Sequence, residues 1–233
     1  MTMLQAVVLG VVQGVTEFLP ISSSGHLVLV PYLFGWREQE LAFDVMIHLA
    51  TFLAVVVVFR RDLWTIGAAM AGRGKRLYRR LGWLLLAGTV PVVVVGLLFS
   101  NVIETTLRQP YVVAMSLIVW GVVLGSADLL QRTRKTSVSR VRRVGVREAL
   151  SIGCAQALAL IPGTSRSGVT MSAGLLAGLN RETAARFSFL LSVPAVGAAS
   201  LYVVTGAVRD GVTLLTPELV VGFFAALVSG VAA

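Results

Sequence analysis

The feature that most constrains this chain is a polar segment written twice inside apolar surroundings. Gln13 to Gly25 reads QGVTEFLPISSSG and Gln156 to Gly168 reads QALALIPGTSRSG, so the glutamine and the glycine each recur 143 residues on, with a proline and a serine cluster between them. Polar side chains at membrane depth are costly and usually functional. A helix-interrupting polar segment present once in each half of a membrane protein points to a site at the repeat interface, near the bilayer midplane.

The rest of the chain is membrane protein in composition. Only 13% of residues are charged and 56% are hydrophobic, with a mean hydropathy of +0.85, whereas soluble domains carry about 25% charged residues. Apolar runs long enough to span occur at 41–59, 82–99, 110–130, 184–206 and 215–233, which predicts five crossings. Each polar copy predicts a helix–loop–helix that turns back on itself. Residues 3–19 form a helical run stopped at Pro20 and followed by Leu27 to Phe34, and 147–179 repeats the plan around PGTSRSG. Irregular backbone at that depth is tolerated only where protein or a water-filled cavity surrounds it. The N-terminus has neither the basic region nor the cleavage site of a signal peptide, so the first segment is expected to stay. The single cysteine, Cys154, excludes a disulfide within the chain, and its small apolar neighbours predict a packing role.

Three crossings separate the repeats, an odd number, so the two hairpins are expected to enter from opposite faces. The predicted fold is an all-α polytopic integral membrane protein: one transmembrane domain over 1–233, an inverted-topology repeat (about 1–100 and about 147–233) and two opposed re-entrant helix-loop-helix hairpins. Charge points the same way. The 60–80 loop carries seven basic residues and the 131–147 loop seven more; with Arg181 and Arg186 they hold 16 of the 20 on one side, against Arg37, Arg108 and Arg209 on the other. The positive-inside rule makes the basic side cytoplasmic. The net charge of +9 is thus a topology signal. Nucleic-acid binding is not expected, since there is no soluble domain to carry it.

Only Arg166 is left over, and it lies in the second polar copy. The first hairpin supplies Glu17, Ser22, Ser23, Ser24 and His26; the second supplies Ser165, Arg166, Ser167 and Thr170. Arginine's planar fork suits phosphate oxygens, and the amides of a glycine-containing turn at a helix start add an anion cradle. The set reads as a phosphate site. Glu17 would hold a divalent cation or act as a base, and a serine or His26 would attack phosphorus. His48 reads as a packed or helix-bonding histidine, and Gln13 and Gln156 as glue between helices.

The segments TEFLPISSSGHL and PGTSRSGVT, with Gln13 spaced before Glu17 and FDVMIHLAT after the first hairpin, resemble the undecaprenyl pyrophosphate phosphatase family of membrane enzymes, also known for bacitracin resistance. The likeness covers nearly the whole chain. It implies hydrolysis of a polyprenyl diphosphate to the monophosphate lipid carrier of envelope glycan synthesis. It also implies dependence on a divalent cation (Mg²⁺ or Ca²⁺) and a plasma-membrane location with the site opening outward. The motif residues fall on Gln13, Glu17, Ser23, His26, Ser165, Arg166 and Thr170. Ser22, Ser24 and Ser167 are further phosphate-binding candidates, Gln13 with Glu17 the metal candidates, and either His26 attacks phosphorus or Ser23 attacks with His26 as its base. Gln13 stands where many members carry a second glutamate, which removes one anionic ligand. Members usually continue through another helix beyond the position of Ala233, so a further C-terminal helix is expected. The expected partners are the lipid substrate, membrane lipids and a second copy in a homodimer. The rival reading is a transporter flipping polyprenyl phosphate, since broken helices in inverted repeats are also a carrier architecture.

Overall fold

A computed structural model describes residues 1–37, 39–106, 110–133, 138–209 and 216–233. Among them the chain forms α1 (Met3–Phe18), α2 (Ser23–Phe34), α3 (Leu41–Val58), α4 (Arg60–Met70), α5 (Arg76–Thr106), α6 (Pro110–Arg132), α7 (Val146–Ala157), α8 (Arg166–Leu176), α9 (Arg181–Arg209) and α10 (Pro217–Ala232). Of the expected crossings, three are single helices long and apolar enough to span, over Arg76–Phe99, Tyr111–Arg132 and Arg181–Gly206. The protein is therefore an all-α, multi-pass membrane protein.

Several expectations need correcting. The run at 41–59 forms α3, 18 residues long, after which the chain bends by 76° into α4; hydropathy registers composition and does not register the bend. The basic segment at 60–80 is accordingly helix α4, a short turn and the start of α5 rather than a loop. The last run is a helix of 16 residues, capped by Thr216 with Pro217 in its first turn. Cys154 does not pack in the interior but is exposed. Arg108, Arg134 and Lys135, counted in the charge argument, lie outside the described residues.

Local chemistry sets the hairpins. Thr2 and Gln5 close a capping box at the start of α1, and Pro20, which cannot continue a helix, follows its end. Ser22 then caps α2 by accepting from the Gly25 amide, as Ser165 caps α8 by accepting from Gly168. These cap pairs sit at the same 143-residue offset as the glutamines.

Glycine contacts give the directions. On α1, Gly10 stands against Gly222 and Gly14 against Gly230, so α1 runs parallel to α10. On α7, Gly153 stands against Gly88, and Leu160 just beyond reaches Gly96, so α7 runs parallel to α5. A Cβ on Gly10 would lie 2.5 Å from the Gly222 carbonyl, and one on Gly153 would strike the Gly88 carbonyl. The first helix of each hairpin thus docks on a helix of the other half, α1 on α10 and α7 on α5. Two cores follow: one joins Leu9, Phe43, Ile47 and Leu219 around the first hairpin, the other Leu84, Ile152, Phe187 and Leu190 around the second.

One end of the bundle is marked by charge. Arg181 at the start of α9 pairs with Asp128 near the end of α6, and Arg186 with Asp62 of α4. Tyr78, Arg140, Arg142 and Arg186 line one cavity there, so both basic segments meet at this end. From it α5 and α7 start; α9 leaves it as a 29-residue helix, about 44 Å long, and α10 begins beyond the far end of α9. The first hairpin, parallel to α10, therefore enters from the end opposite the second.

This arrangement predicts opposite accessibility for Glu40, where α3 begins, and Arg73, beyond α4, both exposed. In a Cys154→Ala background, Glu40→Cys and Arg73→Cys should be labelled by an impermeant thiol reagent from opposite sides of sealed cells. Labelling of both from one side would contradict the fold.

Candidate active site

The two hairpins meet at their tips rather than along their lengths. Ser167 Oγ donates to the Leu19 carbonyl at 3.1 Å, fastening the second tip to the first. Beside this fastening, Arg166 Nη2 donates to Glu17 Oε1 at 2.8 Å, with side chains only 14% and 12% exposed. The other carboxylate oxygen, Oε2, accepts from Ser23 Oγ at 2.6 Å and from Gln13 Nε2 at 3.2 Å. Gln13 also donates to Thr51 Oγ1 at 3.3 Å. Gln13, Glu17, Ser23 and Arg166 are thereby joined into one buried polar chain across the repeat boundary.

Ser23 and Arg166 are the first residues of α2 and α8, so both helix N-termini open at this junction. First-turn amides lack intrahelical acceptors and carry the positive end of the helix dipole, which favours an anion there. The Arg166 guanidinium adds to this, because its Nε and Nη1 are buried with no protein acceptor. A buried donor left unpaired costs about 1–3 kcal/mol, more when charged. The donors therefore favour an acceptor that the protein does not supply.

His26 is oriented by backbone. Its Nδ1 lies 2.8 Å from the Ser22 carbonyl; a carbonyl only accepts, so Nδ1 carries a proton, and in the neutral ring it is Nε2 that holds the lone pair. Ser22 reaches this position at φ 66°, the one non-glycine residue with positive φ among those described. Such strain persists where the surroundings over-determine it, and it clusters at functional sites. Ser23 is hydrogen-bonded to Glu17 and not to His26.

The other candidates are placed differently. Ser22 and Ser165 cap helices; Ser24, on the exposed side, meets Ser22 at 3.3 Å, and Ser167 meets Ser165 at 3.1 Å. Thr170 is turned into α8, bonded to the Arg166 carbonyl at 2.7 Å and to Ser188 at 2.6 Å. His48 donates to the Asp44 carbonyl at 2.7 Å, as a helix-bonding histidine does. Gln13 behaves as more than glue, since it touches the carboxylate itself. Thr51 was missed by sequence reasoning; only its place in FDVMIHLAT hinted at it. Gln156, the counterpart of Gln13, is buried with both amide atoms unpartnered.

The junction lies off centre. Gly163 backs onto Val113 and Gly25 onto Leu117, near the start of α6. Asp128, at the basic end of the same helix, is about 22 Å beyond Val113.

Fold and site together define a polytopic membrane protein whose two opposed hairpins bury a carboxylate, a hydroxyl and a partly unpaired guanidinium at their junction. The sequence matches the family described as bacitracin resistance protein BacA over residues 6–233, and the chain belongs to that family. It is 50% identical over 206 residues to a protein of Hahella chejuensis named undecaprenyl-diphosphatase, covering 87% of this chain and 76% of that one. It is also 50% identical over 204 residues to undecaprenyl-diphosphatase 2 of Stutzerimonas stutzeri, covering 86% and 75%. A Nocardioides protein named undecaprenyl-diphosphatase is 47% identical over 205 residues, covering 85% and 73%.

If the junction depends on charge pairing, Glu17→Gln should cost about 3–5 kcal/mol by leaving Arg166 buried without its counter-charge. The double variant Glu17→Gln, Arg166→Gln should lose less than the two single losses combined. Thermal unfolding of the four purified proteins measures this, and strict additivity would mean that the pair is not coupled.

Proposed function

We propose that this protein hydrolyses undecaprenyl diphosphate to undecaprenyl phosphate and inorganic phosphate, recycling the lipid carrier for cell-wall glycan synthesis. The observation that carries the reading is the guanidinium of Arg166, pinned by one nitrogen to Glu17 and left with buried donors at Nε and Nη1 between two helix N-termini. Family membership and the names of the relatives support the same activity.

In the reaction we favour, Ser23 Oγ attacks the terminal phosphorus while its proton passes to Glu17 Oε2, to which it is already hydrogen-bonded. The bond from phosphorus to the bridging oxygen breaks and undecaprenyl phosphate leaves. Water then attacks the phosphoserine, giving its proton to Nε2 of His26, which releases it to solvent, and Ser23 recovers its proton from Glu17 as phosphate departs. Arg166 and the first-turn amides stabilise the charge on the equatorial oxygens, which is the main protein contribution in phosphoryl transfer. His26 is the competing nucleophile, favoured by its free Nε2.

The donor set also fits a divalent cation. Glu17 offers a carboxylate, and Gln13 Oε1 is buried without a partner; no three His, Cys, Asp or Glu converge among the described residues. Mg²⁺ or Ca²⁺ would thus be held by Glu17 and Gln13 together with substrate phosphate oxygens, and when bound it would neutralise diphosphate charge.

The site's place near the end of α6 remote from the arginines supports a plasma-membrane enzyme with its basic end in the cytoplasm and its active site opening outward.

Phosphate release from C55 diphosphate by the purified protein tests the reading. Arg166→Lys keeps the charge and loses the fork, so the rate should fall about 10- to 100-fold, the equivalent of one charge-assisted hydrogen bond. Ser23→Ala should lose at least about a thousandfold. No phosphate release by the wild type would leave the transporter reading in its place.

A further inference from the structure

The basic end carries a surface that the reaction does not use. Among the described residues no carboxylate lies within ion-pair distance of Arg76, Arg79 or Arg80, whereas Arg132, Arg181 and Arg186 at the same end all have acidic partners. The three unpaired arginines occupy the first two turns of α5 and are exposed. Positions 76, 80 and 83 follow the helical spacing, so the arginines run into Trp83, which is 60% exposed. Above it the exposed stripe turns wholly apolar, through Leu86, Val90 and Val94 to Leu97, which is 65% exposed.

Beside this stripe α4 turns 76° away from α3. It is held on α5 by Ile66 and Met70, which close over Gly82, and it presents Trp64 outward at 80% exposure. An amphipathic helix lying across the bundle axis with an outward tryptophan marks the level of the lipid headgroups. Guanidinium groups at that level, an indole next and about 20 Å of aliphatic surface beyond match an anionic phospholipid in order: phosphate, glycerol region, acyl chain.

We infer that the outer face of α5, from Arg76 to Leu97, binds an anionic phospholipid of the basic-side leaflet, its phosphate held by Arg76, Arg79 and Arg80 and its chains lying along the apolar stripe. The positive-inside rule accounts for cations at this end but requires neither their helical alignment with the stripe nor their lack of protein partners. Juxtamembrane basic residues gain substantially from anionic lipid, each adding to the attraction.

The test is lipid retention by the intact, detergent-purified protein, titrated with phosphatidylglycerol and phosphatidylcholine and read by native mass spectrometry. The wild type should prefer phosphatidylglycerol. The triple variant Arg76→Gln, Arg79→Gln, Arg80→Gln should bind it at least about tenfold more weakly, with phosphatidylcholine unaffected. Replacement of the same three by lysine should keep most of the preference, which separates loss of charge from loss of fold. Raised salt should weaken the preference in the wild type. Equal affinity for the two lipids in the wild type, an unchanged preference in the glutamine variant, or displacement of the lipid by millimolar inorganic phosphate would each overturn the inference.

Discussion

The pairing of Glu17 with Arg166 is the interaction on which the rest of the structure depends. Each would be costly alone at membrane depth, and neither hairpin tip supplies a counter-charge of its own. Joined at 2.8 Å, they make two broken helices from opposite ends tolerable in the same place. The long helices α5 and α9, the exchanged docking of α1 on α10 and α7 on α5, and the close glycine contacts all bring the two tips to one point.

The repeat shows how one structural plan acquired unlike chemistry. Ser22 and Ser165 do the same job 143 residues apart, capping α2 and α8, and Gly25 and Gly168 donate to them in the same way. The next position, first in each helix, is Ser23 in one copy and Arg166 in the other. At the end of the preceding helix Glu17 has Leu160 as its counterpart, and His26 has Val169. The first hairpin therefore brings a hydroxyl, a carboxylate and an imidazole, while the second brings a guanidinium. Asymmetry within a symmetric frame places opposite charges face to face.

Much of this was legible in the sequence, for identifiable reasons. Pro20, Pro162 and the serine clusters interrupt apolar runs so sharply that both hairpins and their offset could be read directly, and the basic segments announced that they share an end. The hydrogen-bond partners could not be read. Whether Ser23 turns to His26 or to Glu17 depends on the left-handed backbone at Ser22 and on how far α1 extends before breaking, and neither has a periodic signature. Thr51 joins the site through packing of α3 on α1, and Cys154 lies on the outward side of α7, a choice set by docking on α5 that composition does not encode. The 76° turn after Val58 was hidden because the apolar run and the following basic helix are each ordinary alone.

The central claim is that the meeting of the tips makes Ser23 a nucleophile, with Glu17 as its base and Arg166 on the phosphate. Acid quenching of the protein during turnover of diphosphate labelled at the terminal phosphate, followed by peptide mapping, tests it most directly. The account predicts an acid-stable label on the peptide that contains Ser23, and no label in Ser23→Ala. An acid-labile label on His26, or turnover with no labelled protein at any quench time, would contradict it.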